Sequence, residues 1–252
     1  MGNRIERNYC CEKNSYLADL RLFAMIHNLL DEPPLGRFFV VTGSHAVQLL
    51  TGEELYHNDL DANMFVRSGM ALDQVERLIS LVNQDSSTSF TLLKKTDDRL
   101  EYDVVSLEND RPRRVELQII SIDRWTRREL KDYYDLVVGI NSSGREVIVP
   151  ITAVSKSGFI FRVKTLPYLI ATWVIRLSGL ALNPKRAIRD SDIEHIRLLL
   201  EQGYSYDEVV AAMRCHPQMP SNYSEEEIFQ RAMEVVNSDG ERTENKRRLT
   251  SN

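Results

Sequence analysis

Cysteine is scarce, long apolar runs are missing and no excess of basic charge is present, and each shortage removes a class of protein. The chain has three cysteines. The adjacent pair Cys10 and Cys11 is poorly placed to bridge with itself, so no disulfide framework is expected and a reducing, cytoplasmic compartment is the simpler reading. No stretch approaches the roughly 18 uninterrupted apolar residues of a membrane span. The opening MGNRIERNYCC carries no apolar signal core, and Glu6 stands where an acylation motif beginning at Gly2 wants Ser or Thr. A membrane partner is therefore not expected. Lys and Arg number 32 against 37 Asp and Glu, a net charge of −5, which excludes the overall positive field of a bulk nucleic-acid binder. His27, His57, His195 and His216 show no zinc-ligand spacing, and Cys215-His216 alone is too little for a site. What is present is an ordinary globular balance, 42% hydrophobic and 27% charged over 252 residues, enough for one large domain or two modest ones with a real core.

The first half alternates helix and strand signals. NSYLADLRLFAMIHNLL (14–30) has helical apolar spacing, with Asn14 or Ser15 as N-cap. DEPPLG breaks it, and RFFVVTG reads as a buried strand ending at Gly43. SHAVQLL then suits a helix that stops near Gly52, and LDANMFV is extended. Residues 71–83 are helical in spacing. FTLLKK, RLEYDVVSL and RRVELQIIS follow as strands, with ENDRP as a hairpin connection, and EVIVPITAV is strand-like after the turn NSSG. From Lys164 onward the sequence becomes amphipathic and helical, with Gly203 as a helix stop and Ser205/Glu208 and Ser224/Glu227 as capping boxes. His45 reads as a helix-surface residue. The last residues, ERTENKRRLTSN, read as a frayed tail.

The chemistry concentrates in VVTGSHAVQLLTGEELYHNDLDANMFV. A strand delivers Gly43 and Ser44 into a helix, and after fourteen intervening residues (45–58) comes Asp59-Leu60-Asp61. Residues two apart on a strand share a face, so Asp59 and Asp61 project side by side while Leu60 faces the core. Two close carboxylates call for a hard cation, and Mg²⁺ (or Mn²⁺) held by one or two carboxylates completes its shell with water and substrate phosphates. The implied substrate is a nucleoside triphosphate (NTP). Gly43 lets the backbone approach phosphate without a Cβ, and the helix N-terminus at Ser44 offers unpaired N–H groups. A third carboxylate on a neighbouring strand would allow two metals to be shared. Glu116, displayed opposite Val115, Leu117 and Ile119 on its strand, is the candidate, with Asp103 as competitor.

These residues resemble the polymerase-beta-type nucleotidyltransferase superfamily, whose pattern is a strand ending in Gly-Gly or Gly-Ser, a helix, and an acid-apolar-acid strand. The element order and RAIRDSDIEHIRLLL resemble the AbiEii branch, the toxin half of type IV toxin–antitoxin systems, over roughly residues 36–203. The resemblance implies an α+β (α/β) fold, a small mixed-sheet nucleotidyltransferase domain (1–160, with the N-terminal helix) followed by a helical domain (161–240); the polar, aperiodic end is read as a flexible tail (241–252). It implies Asp190 as an acid assisting the metal site, and a lysine on the preceding helix. That helix reads LIATWVIRL with Trp173 near the lysine's place, leaving Arg176 or Lys164 as nucleotide-binding substitutes.

The expected activity is transfer of a nucleoside monophosphate from an NTP to an acceptor hydroxyl on RNA or tRNA, a protein or a small molecule, with Asp59, Asp61 and Glu116 on the metals. An antitoxin partner follows from the AbiEii resemblance. Two rivals stand beside it: a diverged member that uses its helical half to bind a partner, and a sugar-nucleotide transferase with an Asp-x-Asp metal site, against which the Gly-Ser turn argues. The basic clusters Arg111, Arg113, Arg114 and Arg124, Arg127, Arg128, Lys131 are solvated faces or contacts for triphosphate or RNA.

Overall fold

The computed structural model describes residues 13–31, 37–53, 55, 59–67, 72–85, 88–106, 112–122, 124–125, 136–140, 146–180 and 188–250. The expected ENDRP connection (but for Pro112), the NSSG turn and the basic residues Arg111, Arg127, Arg128 and Lys131 lie outside them. The elements run α1 (Lys13–Leu30), β1 (Arg37–Val41), α2 (Gly43–Thr51), β2 (Asp59–Arg67), α3 (Leu72–Asp85), β3 (Thr88–Lys95), β4 (Arg99–Ser106), β5 (Arg113–Ile122), β6 (Arg124–Trp125), β7 (Leu136–Ile140), β8 (Glu146–Lys156), β9 (Phe159–Lys164), α4 (Leu166–Leu177), α5 (Asp190–Glu201), α6 (Tyr206–Arg214) and α7 (Glu225–Thr250). The class is α+β: a mixed sheet joined to a helical part. Among the described residues no helix is long and apolar enough to cross a membrane.

The strands form one sheet in the order β3-β4-β5-β2-β1-β9-β8-β7-β6. Strand β2 lies antiparallel to β1 and parallel to β5, and β9 joins β1 in parallel through Val41 and Val163. Alternation sorts the central strands into two faces. Leu60, Ala62 and Met64 on β2, Val115, Leu117 and Ile119 on β5, and Leu100, Tyr102 and Val104 on β4 are buried. The residues between them (Asp59, Asp61 and Asn63, then Arg114, Glu116 and Gln118, then Arg99, Glu101 and Asp103) share the opposite face in register. Helix α1 is held against the sheet partly by ions: Asp31 accepts from the backbone N–H of Phe39 at 2.9 Å and pairs with Arg162 of β9, and Arg113 meets the buried Asp19 at 2.7 Å.

Several local expectations are corrected. Helix α1 already includes Lys13, so Asn14 and Ser15 lie inside it rather than capping it. Lys164 closes strand β9, and the helical half starts only at Leu166, with Pro167 in the first turn. The proposed boundary at 160/161 thus falls within a strand of the sheet. His45 is buried, edge-on to Phe23 with ring centroids 4.8 Å apart. The tail expected from 241 is helical as far as Thr250: Glu, Arg, Lys and Leu are good helix formers, so α7 propagates without an apolar stripe. Ser224 and Glu227 exchange both capping bonds, and Ser205 accepts from the N–H of Glu208. Gly203, at φ +78°, follows the last turn of α5.

Two buried histidines are expected to make the fold acid-sensitive. Burial, then the charge of Arg162, lowers the pKa of His27 to about 4, and burial with Lys164 lowers that of His216 to about 3. The unfolded chain protonates both near pH 6.5, so below that pH it binds more protons than the native state and stability falls with acidification. From about pH 6.5 to about pH 5 the slope should approach about 2.7 kcal/mol per pH unit for the two groups together. The raised pKa of Asp19, a consequence of burial, opposes the trend further into acid. Urea unfolding measured across this window checks the expectation, and a flat profile would contradict it.

Candidate active site

The turn after β1 and the start of β2 are built against each other. Every residue of β1 is buried, which fixes the strand in the sheet, and the Thr42 N–H donates to the Asp61 carbonyl at 2.9 Å. The chain then turns through Gly43 at φ +63° into α2. A left-handed backbone already favours glycine there. Space requires it as well: a Cβ on Gly43 would sit 2.5 Å from Asp61 Oδ2 and 3.2 Å from its Cβ and Cγ. The glycine therefore allows the Asp61 carboxylate to lie close against the first residue of α2.

Asp61 pairs in register with Glu116 on β5, and Asp59 with Arg114. Asp59, Asp61 and Glu116, each half-buried, offer carboxylate oxygens that all lie within 4.8 Å of one another. Among the described residues this is the one group of three or more acidic, histidine or cysteine side chains with that spacing. Asp103, the alternative third acid, lies farther along the face, in register with Arg114. Burial first, then the negative charges of Asp59 and Glu101, raise the pKa of Glu116, while Arg99 and Arg114 pull the other way. Three hard oxygen donors converging beneath a helix N-terminus match the chemistry of a divalent cation of the Mg²⁺ class.

The remaining sequence candidates fall in two places. Lys164 ends β9, and its neighbour Val163 is in register with Val41, so the lysine lies close along the sheet to the Thr42-Gly43 turn. Its Nζ stands 5.5 Å from the ring centroid of Tyr168, and burial brings its pKa down to about 8. The other place is the junction of α4 and α5. Arg176 stacks on Trp173 at 5.1 Å and donates to Asp192 Oδ2 at 2.8 Å. The same buried carboxylate oxygen accepts from the Arg189 N–H at 2.9 Å. Asp190 is exposed in the first turn of α5, so in this segment the fully buried acid is Asp192. The sequence does not single out Asp192, because both acids sit in the same first turn and helical phase decides which one points inward. Nor does it single out Arg99, which donates to Glu116 Oε2 at 3.2 Å; the charged alternation Arg99, Glu101, Asp103 is the available signal.

No protein-family profile and no curated protein sequence matches the chain. Among solved structures it superposes on an antigenic nucleotidyltransferase-like protein from Paracoccidioides brasiliensis with a TM-score of 0.50 and 12% identity, over 89% of each chain. The fold is nucleotidyltransferase-like. Looser superpositions relate it to the antibiotic-resistance factor ANT(2'')-Ia (TM-score 0.49, 12% identity, 79% of this chain and 90% of that one). The same holds for JHP933 from Helicobacter pylori (TM-score 0.45, 14% identity, 96% and 100%). Within this nucleotidyltransferase-like fold, the acid group stands on two adjacent parallel strands facing the Gly43 turn.

Proposed function

We propose that the protein is a nucleotidyltransferase that moves a nucleoside monophosphate from an NTP to an acceptor hydroxyl. The observation that carries this reading is the convergence of Asp59, Asp61 and Glu116 within 4.8 Å against a turn whose glycine leaves room for Asp61. In this reading Asp59, Asp61 and Glu116 hold Mg²⁺ or Mn²⁺, which when bound neutralises charge on the triphosphate and the attacking oxygen. Gly43, Ser44 and the N–H groups opening α2 receive the polyphosphate. Lys164 adds a cation close to that turn. In the same reading the exposed Asp190 takes the supporting role at the metal site that the AbiEii resemblance gives it, and either Arg176, held by Asp192 and Trp173, or Lys164 stands in for the lysine of that branch.

The acceptor hydroxyl oxygen attacks the α-phosphorus in line. The new O–P bond forms as the bond to the bridging oxygen of the β-phosphate breaks, pyrophosphate leaves, and the hydroxyl proton passes to Glu116. In the AbiEii-like form of the proposal the acceptor is tRNA or a protein, the protein acts as a toxin in the cytoplasm, and a cognate antitoxin binds it.

Incubating the protein with each α-labelled NTP, Mg²⁺ and a cell lysate, then treating the products with RNase or protease, tests the reading and names the acceptor class. One NTP should label one class of product: RNase-sensitive, protease-sensitive, or resistant to both for a small molecule. Absence of label with every NTP, together with no metal-dependent thermal stabilisation by NTPs, would overturn the proposal in favour of a partner-binding module.

A further inference from the structure

The polar face of the sheet contains an arrangement that the three carboxylates do not by themselves explain. Strand β4 sets Glu101 directly opposite Glu116, and like charges directly opposed across a strand pair are unfavourable. Glu116 also faces Asp61 from the other side, in register. A carboxylate between two carboxylates would swing away from both unless something fixed it. Arg99 occupies that position. Its NH1 donates to Glu116 Oε2 at 3.2 Å and lies 3.9 Å from Glu101 Oε1, while Lys94 approaches Glu101 Oε1 at 3.5 Å. Glu101 is thus drawn toward Arg99 and Lys94, and Glu116 is tethered through one oxygen.

The geometry points to Arg99 as a positioning residue for the cation site: it binds one oxygen of Glu116 and so presents that carboxylate to Asp59 and Asp61. This rests on the reading of the three acids as metal ligands. A carboxylate has lone pairs for several partners, so the guanidinium on Oε2 leaves Glu116 acceptor capacity for an ion. A planar guanidinium holds its N–H groups in fixed directions, so the NH1 that bonds Glu116 is aimed by the rest of the side chain, which a freely rotating ammonium would not be. Outer partners that orient metal-binding side chains commonly contribute 10-fold to 100-fold to metal affinity.

Mn²⁺ binding to the full-length protein, followed by electron paramagnetic resonance of the free ion, tests this without relying on turnover. Arg99→Ala should weaken Mn²⁺ binding about tenfold or more, and Arg99→Lys should recover part of the loss by restoring the charge without the fork. Asp59→Asn run alongside should weaken binding at least as much. Unchanged affinity in Arg99→Ala, with Asp59→Asn impaired, would overturn the role of Arg99 and leave the acid site standing. Tighter binding in Arg99→Ala would also overturn it, making the arginine a competitor for Glu116. If the unaltered protein and Asp59→Asn are equally without affinity, the cation reading and the role of Arg99 fall together. Unfolding curves of both Arg99 variants show whether any loss comes from the fold instead.

Discussion

Replacing both Asp59 and Asp61 by asparagine is expected to reduce nucleotidyl transfer at least about a thousandfold, which corresponds to about 4 kcal/mol of transition-state stabilisation. Asparagine keeps the size of each side chain but supplies one neutral carbonyl in place of a charged carboxylate, so the cation loses the donors that hold it. The fold should not suffer. Without an ion, three carboxylates whose oxygens lie within 4.8 Å of one another repel, and removing two charges relieves that repulsion. The double variant should therefore unfold at an equal or higher temperature than the unaltered protein in the absence of divalent ions, and should no longer be stabilised when they are added. Assaying α-labelled NTP incorporation together with thermal unfolding, with and without Mg²⁺, separates the two effects. Incorporation at the original rate would refute the assignment of these acids.

The second large effect is expected from one added methyl group. Gly43→Ala places a Cβ 2.5 Å from Asp61 Oδ2 and 3.2 Å from its Cβ and Cγ, distances at which the aspartate must move. The carboxylate tip can rotate, but rotation carries it away from Asp59 and Glu116. The backbone adds its own penalty, because alanine at φ +63° pays about 1–2 kcal/mol for the left-handed conformation. Activity should fall at least about a hundredfold, about 2.7 kcal/mol on the barrier, with only that modest loss of global stability. Transfer rates and urea unfolding of Gly43→Ala measure the two separately. Activity close to that of the unaltered protein would show that Asp61 does not need its observed position.

Much of this arrangement can be read from local sequence because it is local in origin. The run RFFVVTG, the helix spacing of SHAVQLL and the two-residue period of Asp-Leu-Asp each fix a short element, and the order of those elements places a glycine turn opposite a strand of acids. Glu116 is suggested by an acid set among apolar neighbours on its own strand. What the local pattern does not carry is pairing between strands. Arg99 meets Glu116 only because β4 and β5 adopt one register, and Lys164 lies near Gly43 only because β9 returns to pair with β1 in parallel. Strand β9 is hard to read from sequence because FIFRVK is short and runs straight into an amphipathic helix. The two residues of β6 carry no pattern of their own. Helix α7 shows the opposite limit: with no apolar periodicity over its last turns, its helicity there comes from residue propensity alone.

The parallel pairing of β9 with β1 also governs how the molecule could be divided. A fragment ending ahead of Phe159 would strip β1 of its neighbour on that side and open the backbone around Val41, on a strand whose side chains are all apolar or buried. Such an edge is a template for joining another chain. The sheet half is therefore sealed by a strand that the chain supplies only on its way into the helices, and a truncation meant to isolate it would have to retain Lys164 to stay in solution.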